Sequence, residues 1–354
     1  MIFFLPDNKI LKYNYCFLVV ISGYTLLQNI GLMLQLKLSR IFFRNILLLL
    51  SVIFLSTALF SQNNSFKKDE DSLRFLSRRM YAVGSDSAKL SGNVVFSKFL
   101  NEVLQKQGIY AWPFDSLRDI GCLRAPDDAF RIFNWNIPLK DGTSRYFGFI
   151  LLPGDKGRSN RVLKLTDRSD SIPDATKQAL TASDWYGALY YSILKNEWKK
   201  QAIYTLLAWD GYSKRSSRKI IDILTFNPSG DPQFGLPIFK TAEGLKTRVI
   251  FEFAGNASMT LRYDNQYLVT GQRSDGQPKT KKMGMIVADR LVPIDARLKD
   301  QYEYYVPAGD TYDAFIFAQG FWRLAEDVMV TNPAEKKKEK EAKPVEYNLL
   351  PSRK

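Results

Sequence analysis

The sequence predicts an α+β protein whose body is a predominantly antiparallel β meander, either sandwich-like or barrel-like. Two observations support this class. Apolar residues recur at helical spacing near the beginning of the chain and once in its middle. Elsewhere, short runs rich in Val, Ile, Phe and Tyr are separated by turns that contain Gly, Pro, Asn or Asp. Strands do not alternate with helices, so we do not expect a parallel nucleotide-binding sheet.

Residues 1–61 are predicted to be an over-extended start followed by a signal peptide. Met33 is a plausible true start, because basic residues follow it and an apolar core then runs from Ile46 to Phe60. This core is shorter than a membrane span and fits the apolar region of a signal peptide. We therefore expect a mature protein that begins near Gln62 and is exported to the periplasm or outer envelope. The alternative is a pair of N-terminal spans that anchor the protein in the inner membrane.

Residues 62–108 are predicted to form a helical N-terminal segment. Leu73, Leu76 and Met80 recur at three- and four-residue spacing, and a second run of the same period follows. Gly108 stands where a helix would stop.

Residues 109–330 are predicted to form the β-rich body, with a single inserted helix near residues 183–200. Residues 131–139 and 145–152 flank a Gly-containing loop and predict a hairpin. In the inserted helix, Ser183 would be the N-cap. Further strands are predicted at residues 161–165, 202–209, 219–226, 232–239, 247–254, 258–264, 283–292, 303–306 and 313–325. Residues 331–354 are dense in charge and poor in apolar residues, which predicts a disordered tail.

The composition excludes several kinds of catalytic site. The chain has no histidine and two cysteines, Cys16 and Cys122. Ser-His-Asp and Cys-His nucleophilic sites are therefore excluded, and a zinc site is close to excluded. Phosphate-binding and dinucleotide-binding glycine motifs are also missing from the sequence. We therefore expect neither a metal nor an organic cofactor.

The excess of basic residues suggests an anionic partner. The chain carries 50 Lys and Arg against 36 Asp and Glu, with local concentrations at residues 213–219 and 279–282. Because export is expected, an anionic glycan or lipid is a better partner than nucleic acid. This hypothesis requires the two segments to lie side by side. The candidate ligand-binding residues are Lys214, Arg215, Arg218, Lys219, Lys279, Lys281 and Lys282.

Glu252 lies in the middle of RVIFEFAGNASMTLRYD, residues 248–264, which predicts two strands joined by a tight turn. A three-residue loop gives one apolar and one charged face, so the hydrophobic pattern favours that register. In this hairpin Glu252 would point outward beside Arg262, and Arg248 would lie opposite Asp264. We therefore expect Glu252 to be structural rather than catalytic.

Two catalytic alternatives need neither histidine nor metal. A pair of carboxylates can hydrolyse a glycosidic bond. The candidate acids near strand ends are Asp127, Asp128, Asp210, Asp289, Asp295, Asp310 and Asp313. The second alternative is a Ser-Lys nucleophile, because Ser192 and Lys195 match S-x-x-K and would lie one helical turn apart. The sequence lacks the other motifs of that class.

Three segments, PQFGLPIF, VIFEFAGNASMTLRYD and MIVADRLVP, carry a family resemblance. Together they resemble an uncharacterised family of exported proteins of Bacteroidota, over roughly residues 66–330. The resemblance implies export and a β-rich body, but it implies no activity. The sequence departs from the family pattern at Arg290, where a histidine is usual.

The sequence therefore predicts a non-enzymatic envelope protein that acts by binding or scaffolding. The alternatives are a carboxylate-dependent glycan hydrolase and a protein that binds an anionic glycan or lipid through its basic loops. A buried pair of acids in a cleft would favour the hydrolase. A closed charged face without a cleft would favour a scaffold.

Overall fold

The computed structural model of the chain describes residue 45 and residues 62–82, 84–154 and 159–328. The chain divides into two compact units, Met1–Lys68 and Asp69–Lys354. In the first unit, residue 45 and residues 62–68 are described, and they are helical. The predicted signal peptide, apart from residue 45, and the predicted C-terminal tail lie outside the described residues. Within the described part of the chain, the helices are too short or too polar to span a membrane.

Helices open the second unit, which confirms the predicted N-terminal helices. Helix α1 covers residues 62–82, and its residues from Asp69 onward belong to this unit. Helix α2 covers Asp86–Leu104, and its N-cap Ser85 accepts a hydrogen bond from the backbone N–H of Ala88. The apolar face of α2 is buried, and Phe96 packs edge-to-face on Trp135 with 5.1 Å between ring centres. Helix α2 thus packs on the face of the first sheet that carries Trp135.

The described strands form three sheets, which confirms the predicted β-rich α+β class. The first sheet has the order β1-β2-β3-β4, with strands Gly121–Arg124, Arg131–Pro138, Ser144–Leu152 and Arg161–Thr166. The central sheet has the order β5-β9-β8-β7-β6, and β12 also pairs with β8. Its strands are β5 (Leu180–Thr181), β6 (Leu189–Trp198), β7 (Gln201–Asp210), β8 (Ser216–Phe226), β9 (Pro232–Phe234) and β12 (Val249–Ala254). The third sheet has the order β11-β10-β16-β15-β14-β13, with β10 (Phe239–Thr241), β11 (Gly244–Lys246), β13 (Leu261–Gln272), β14 (Pro278–Pro293), β15 (Tyr305–Ala318) and β16 (Phe321–Val328).

The three sheets stack with the central sheet in the middle. One face of β7 and β8 contributes Leu206, Ala208 and Ile220 to a core shared with the first sheet. The opposite face contributes Leu207 and Ile221 to a core shared with the third sheet. Burial on both faces explains why these two strands read as nearly continuous apolar runs rather than as alternating patterns.

The helix predicted near residues 183–200 is wrong, because residues 189–198 form strand β6. A short 3-10 turn, Ala182–Asp184, replaces the predicted helical cap. Strand β6 pairs with β7 through a two-residue turn at Lys199 and Lys200, which both have positive φ, as a tight hairpin turn requires. Residues 183–200 contain three tyrosines and two tryptophans, and aromatic residues favour strands when a partner strand is present.

The hairpin predicted at residues 248–264 is also wrong. Strand β12 pairs antiparallel with β8, and residues from Leu261 onward pair with β14 in a different sheet. The turn after β12 is tied to the start of β8, where the backbone N–H of Gly255 donates to the carbonyl of Arg215 at 2.7 Å. The apolar alternation of each strand was consistent with either partner, so the pattern could not select the true one.

Candidate functional site

A cleft of about 950 Å³ opens at the edge between the first and central sheets. Its walls include the start of β3, the loop of residues 167–176, the end of β7, the start of β8, and β12, and residues 241–246 at β10 and β11 of the third sheet also line it. The polar side chains that line it include Asp141, Ser144, Arg145, Tyr146, Asp167, Asp170, Asp174, Tyr186, Asp210, Tyr212, Arg218, Glu243, Lys246, Arg248, Glu252 and Tyr302.

Three charged residues form a row across the floor of this cleft. Asp210 of β7 pairs in register with Arg218 of β8, and Arg218 pairs in register with Glu252 of β12. Neighbouring strands lie about 4.8 Å apart, so the Cα atoms of the two acids are about 10 Å apart. The order acid, arginine, acid follows directly from the strand register.

Asp210 is the most perturbed acid of the cleft. It is 4% exposed, and its carboxylate accepts hydrogen bonds from the hydroxyls of Tyr146 at 2.7 Å and Tyr186 at 3.3 Å. Burial raises the pKa of Asp210 to about 6, although the two tyrosine hydroxyls and Arg218 lower it in part. Asp210 can therefore exchange a proton in mildly acidic solution.

The hydroxyl of Tyr146 is held in place from two sides. It donates to Asp210 and accepts a hydrogen bond from the backbone N–H of Gly211 at 2.8 Å. Burial, and then the adjacent Asp210 carboxylate, raise the pKa of Tyr146, so the hydroxyl keeps its proton. This side chain is thus a fixed neutral donor beside a titratable acid.

Glu252 is an ion-paired residue of the cleft floor rather than part of an outward ladder with Arg262. Its carboxylate accepts from Arg218 Nε at 2.8 Å and from the hydroxyl of Ser216 at 2.7 Å. Arg218 also donates to the hydroxyl of Tyr186 at 2.9 Å. The predicted partner of Glu252 and its predicted outward orientation are therefore wrong, and its structural role stays a prediction.

Asp167 positions the segment that carries Tyr186. Its carboxylate accepts from the backbone N–H groups of Tyr146 at 3.2 Å and Gly187 at 3.3 Å. A Cβ atom at residue 187 would lie 2.4 Å from the carboxyl carbon of Asp167, so only glycine fits there. This close approach sets Tyr186 over the cleft floor.

A second charged row lies deeper, beyond one apolar row. Arg248 is fully buried and forms an ion pair with the buried carboxylate of Asp222 at 3.1 Å. Its guanidinium also donates to the carbonyl of Ala175, and Asp222 accepts from the hydroxyl of Tyr190 at 3.4 Å. The predicted exposed pair of Arg248 with Asp264 is therefore wrong. The buried pair fastens the loop of residues 167–176 to the central sheet.

The cleft is acidic in an otherwise basic protein. Seven carboxylates and four basic side chains line it. Tyr212 and Tyr302 are exposed at its rim, and the Tyr212 ring stacks on Arg218 with 3.2 Å from the guanidinium carbon to the ring centre. Such a lining suits a neutral or cationic ligand that is rich in hydrogen-bonding groups.

The two predicted basic segments do not lie side by side. Lys219 packs on the ring of Tyr191, whose hydroxyl donates to the carbonyl of Leu261. Lys281 lies opposite Leu268 on the β13–β14 hairpin. Leu268 is seven residues beyond Leu261 along β13, which corresponds to about 23 Å. These two groups of cations therefore do not form one binding surface.

The other predicted basic residues near the cleft contact different parts of the protein. Arg215 forms an ion pair with Glu303. Lys214 is exposed and lies over Gly142. Arg218 is the one candidate among these that belongs to the cleft floor.

Of the seven candidate acids, Asp210 alone lines the cleft. Asp127 and Asp128 pair with Lys195 and Arg124. Asp289 accepts from the backbone N–H of Thr260. Asp295 pairs with Arg297, Asp310 is exposed on β15, and Asp313 pairs with Arg290.

The Ser-Lys match of the sequence, which lacks the other motifs of its class, does not form a catalytic pair. Ser192 and Lys195 belong to strand β6, and residues three apart in a strand point to opposite faces. Across the described residues, no group of three or more acidic or cysteine side chains is placed to hold a metal ion.

Sequence reasoning missed Tyr146, Tyr186 and Asp167. Of these three residues, Tyr146 could have been noticed in the sequence. It lies among apolar residues of a predicted strand, and a buried tyrosine hydroxyl needs a hydrogen-bond partner. That partner, Asp210, lies 64 residues further along the chain.

Comparison with known proteins gives no relative for this chain. No family model matches it, and neither a curated protein nor a solved structure matches it.

Proposed function

We propose that the protein is an exported envelope protein that binds a neutral or amino-bearing glycan in the cleft above Asp210. The hydrogen-bonded network of Asp210, Tyr146, Tyr186, Arg218 and Glu252 carries this proposal. A site that holds fixed hydrogen-bonding groups around a buried acid is suited to hydroxyl groups, and it rejects ligands that leave those groups unpaired. Export is supported by the N-terminal sequence pattern.

The acidic lining of the cleft favours a neutral or amino-bearing glycan over an anionic one. Seven carboxylates against four basic groups would repel an anionic chain. The exposed rings of Tyr212 and Tyr302 offer flat apolar faces at the rim, against which a sugar ring can lie. The earlier hypothesis of an anionic glycan therefore does not apply to this cleft.

A glycan array with the full-length chain tests binding. For the ligands retained, Asp210→Asn is expected to weaken affinity by about tenfold or more, because a hydrogen bond to a charged group is lost. The matched control is Asp295→Asn, which removes an exposed carboxylate that pairs with Arg297 outside the cleft. Equal affinity of the wild type and Asp210→Asn for every retained glycan would contradict the proposal.

Glycan hydrolysis is a second candidate, favoured by the raised pKa of Asp210 and by a second carboxylate, Glu252, two strands away across the cleft floor. Asp210, when protonated, would donate a proton to the leaving oxygen, and Glu252 across the floor would act as the base for water. The test is release of reducing ends from the retained glycans. Activity should fall as pH rises through about 6 and vanish in Asp210→Asn. Activity that survives in Asp210→Asn would exclude this candidate.

A further inference from the structure

Strands β13 and β14 extend beyond the third sheet as a two-stranded ribbon. Strand β13 pairs with β14 from Leu261 to Gln272, whereas β15 pairs with β14 only from Ile286 onward. The ribbon closes in a turn in which the backbone N–H of Arg273 donates to the carbonyl of Gln277 at 2.8 Å. Residues 265–284 are therefore a projecting element that the glycan cleft does not use.

The two faces of this ribbon differ. On one face Leu268 and Met283 pack against the buried cluster around Met285. On the other face Tyr267 and Val269 follow each other at strand spacing and are 47% and 49% exposed. This second face has no covering element among the described residues.

The β6–β7 turn adds an exposed tryptophan at the base of the ribbon. Trp198 is 39% exposed, and its ring lies over Gly320, where a Cβ atom would meet it at 2.8 Å. Gly320 belongs to the β15–β16 turn, which the strand register places level with Met283 of β14. Lys199 and Lys200 follow Trp198 directly.

Positive charge accompanies these exposed apolar side chains. Residues 197–200 and 273–282 contain two acids, Glu197 and Asp275, against six cations: Lys199, Lys200, Arg273, Lys279, Lys281 and Lys282. All six cations are exposed. We call these two segments, together with Tyr267 and Val269, the basic end.

We propose that the basic end docks onto an anionic lipid bilayer. Exposed Trp and Tyr are the side chains that settle at the headgroup level of a membrane. Each lysine close to an anionic surface strengthens binding to it by about five-fold. Charge alone would serve a soluble polyanion equally well, but the exposed side chains of Tyr267, Val269 and Trp198 add the apolar contact that binding to a lipid surface requires. This inference is independent of the glycan cleft.

Vesicle co-sedimentation of the full-length chain tests the charge requirement. Vesicles of equal parts phosphatidylglycerol and phosphatidylcholine are compared with vesicles of phosphatidylcholine alone. Lys199→Glu with Lys282→Glu is expected to weaken binding to the anionic vesicles by at least about tenfold, because Lys282 pairs with Tyr267 on the exposed face and Lys199 follows Trp198. The matched control, Arg297→Glu with Lys299→Glu, makes the same charge change beyond Pro293, at the opposite end of β14.

All variants share residues 1–61, so a difference between them reports on the substituted surface. An equal loss in the two double variants would overturn the proposal, because it would show a response to net charge alone. Binding to anionic vesicles that is unchanged in Lys199→Glu with Lys282→Glu would overturn it as well.

Fluorescence quenching tests the apolar contact. Vesicles that contain brominated phosphatidylglycerol should quench the fluorescence of Trp198, which is the part of the emission that Trp198→Phe removes. Tyr267→Ser with Val269→Ser should weaken vesicle binding by several-fold. Absence of quenching would overturn lipid docking. The proposal would also be overturned if dextran sulfate, a soluble polyanion, bound both the wild type and the Tyr267→Ser, Val269→Ser variant as tightly as the vesicles do. The surface would then be a simple polyanion site.

Discussion

Arg248→Met is expected to lower the free energy of unfolding by about 3–5 kcal/mol, because it leaves the carboxylate of Asp222 buried without a cation. Arg248 is fully buried, pairs with Asp222 at 3.1 Å and donates to the carbonyl of Ala175. Methionine keeps much of the volume but restores none of these contacts. Urea unfolding at neutral pH measures the change.

Two further variants make this expectation specific. Arg248→Met combined with Asp222→Leu removes both charges and should recover a large part of the loss. Arg215→Met breaks an ion pair in which the arginine side chain is 73% exposed, and it should cost no more than about 1 kcal/mol. Similar losses in Arg248→Met and Arg215→Met would show that the buried pair does not anchor the cleft loop.

Asp210→Asn is expected to stabilise the protein relative to the wild type by up to about 3 kcal/mol at pH 7, and by little near pH 4. The folded protein raises the pKa of Asp210 from 3.8 to about 6, so the folded state binds this proton more tightly than the unfolded state. The stability of the wild type therefore falls as pH rises from about 4 to about 6, and asparagine removes that dependence.

Urea unfolding at several pH values between 4 and 7 measures this difference. Tyr146→Phe provides a second variant, because it deletes a hydroxyl that lowers the pKa of Asp210. The pH range over which stability is lost should then extend to higher pH, while its lower end stays near 4. A stability difference between wild type and Asp210→Asn that stays constant from pH 4 to pH 7 would contradict the assigned environment of Asp210.

The strands of the fold were predictable from local pattern, whereas their partners were not. Residues 131–139 and 145–152 form the predicted hairpin, because a short loop leaves each strand its neighbour in sequence as the nearest partner. Strand β12 instead pairs with β8, which precedes it by more than twenty residues. The apolar alternation of β12 fits either partner, so only the packed structure distinguishes them.

The segment of residues 183–200 shows the opposite limit. Trp185, Leu189 and Ile193 have helical spacing, but strand β6 forms there because β7 offers a partner through a two-residue turn. Tertiary pairing overrides a local periodicity that is only a few residues long.

The candidate site could be predicted only in part, because its residues come from five separate segments of the chain. Asp210 was recognisable as an acid at a strand end, and Glu252 as a carboxylate within an apolar strand. Their surroundings depend on Tyr146, Tyr186 and Arg218, which strand register and the loop at Asp167 bring together. None of these long-range contacts leaves a short motif in the sequence.

Hydrogen–deuterium exchange of the full-length chain, with and without the glycan that the array selects, tests the glycan cleft most directly. We predict slower exchange in residues 141–146, 167–176 and 210–218, which line the cleft, and unchanged exchange in the ribbon of residues 265–284. Unchanged exchange in the cleft segments at saturating glycan, or protection confined to the ribbon, would contradict the assignment of the cleft as the ligand site.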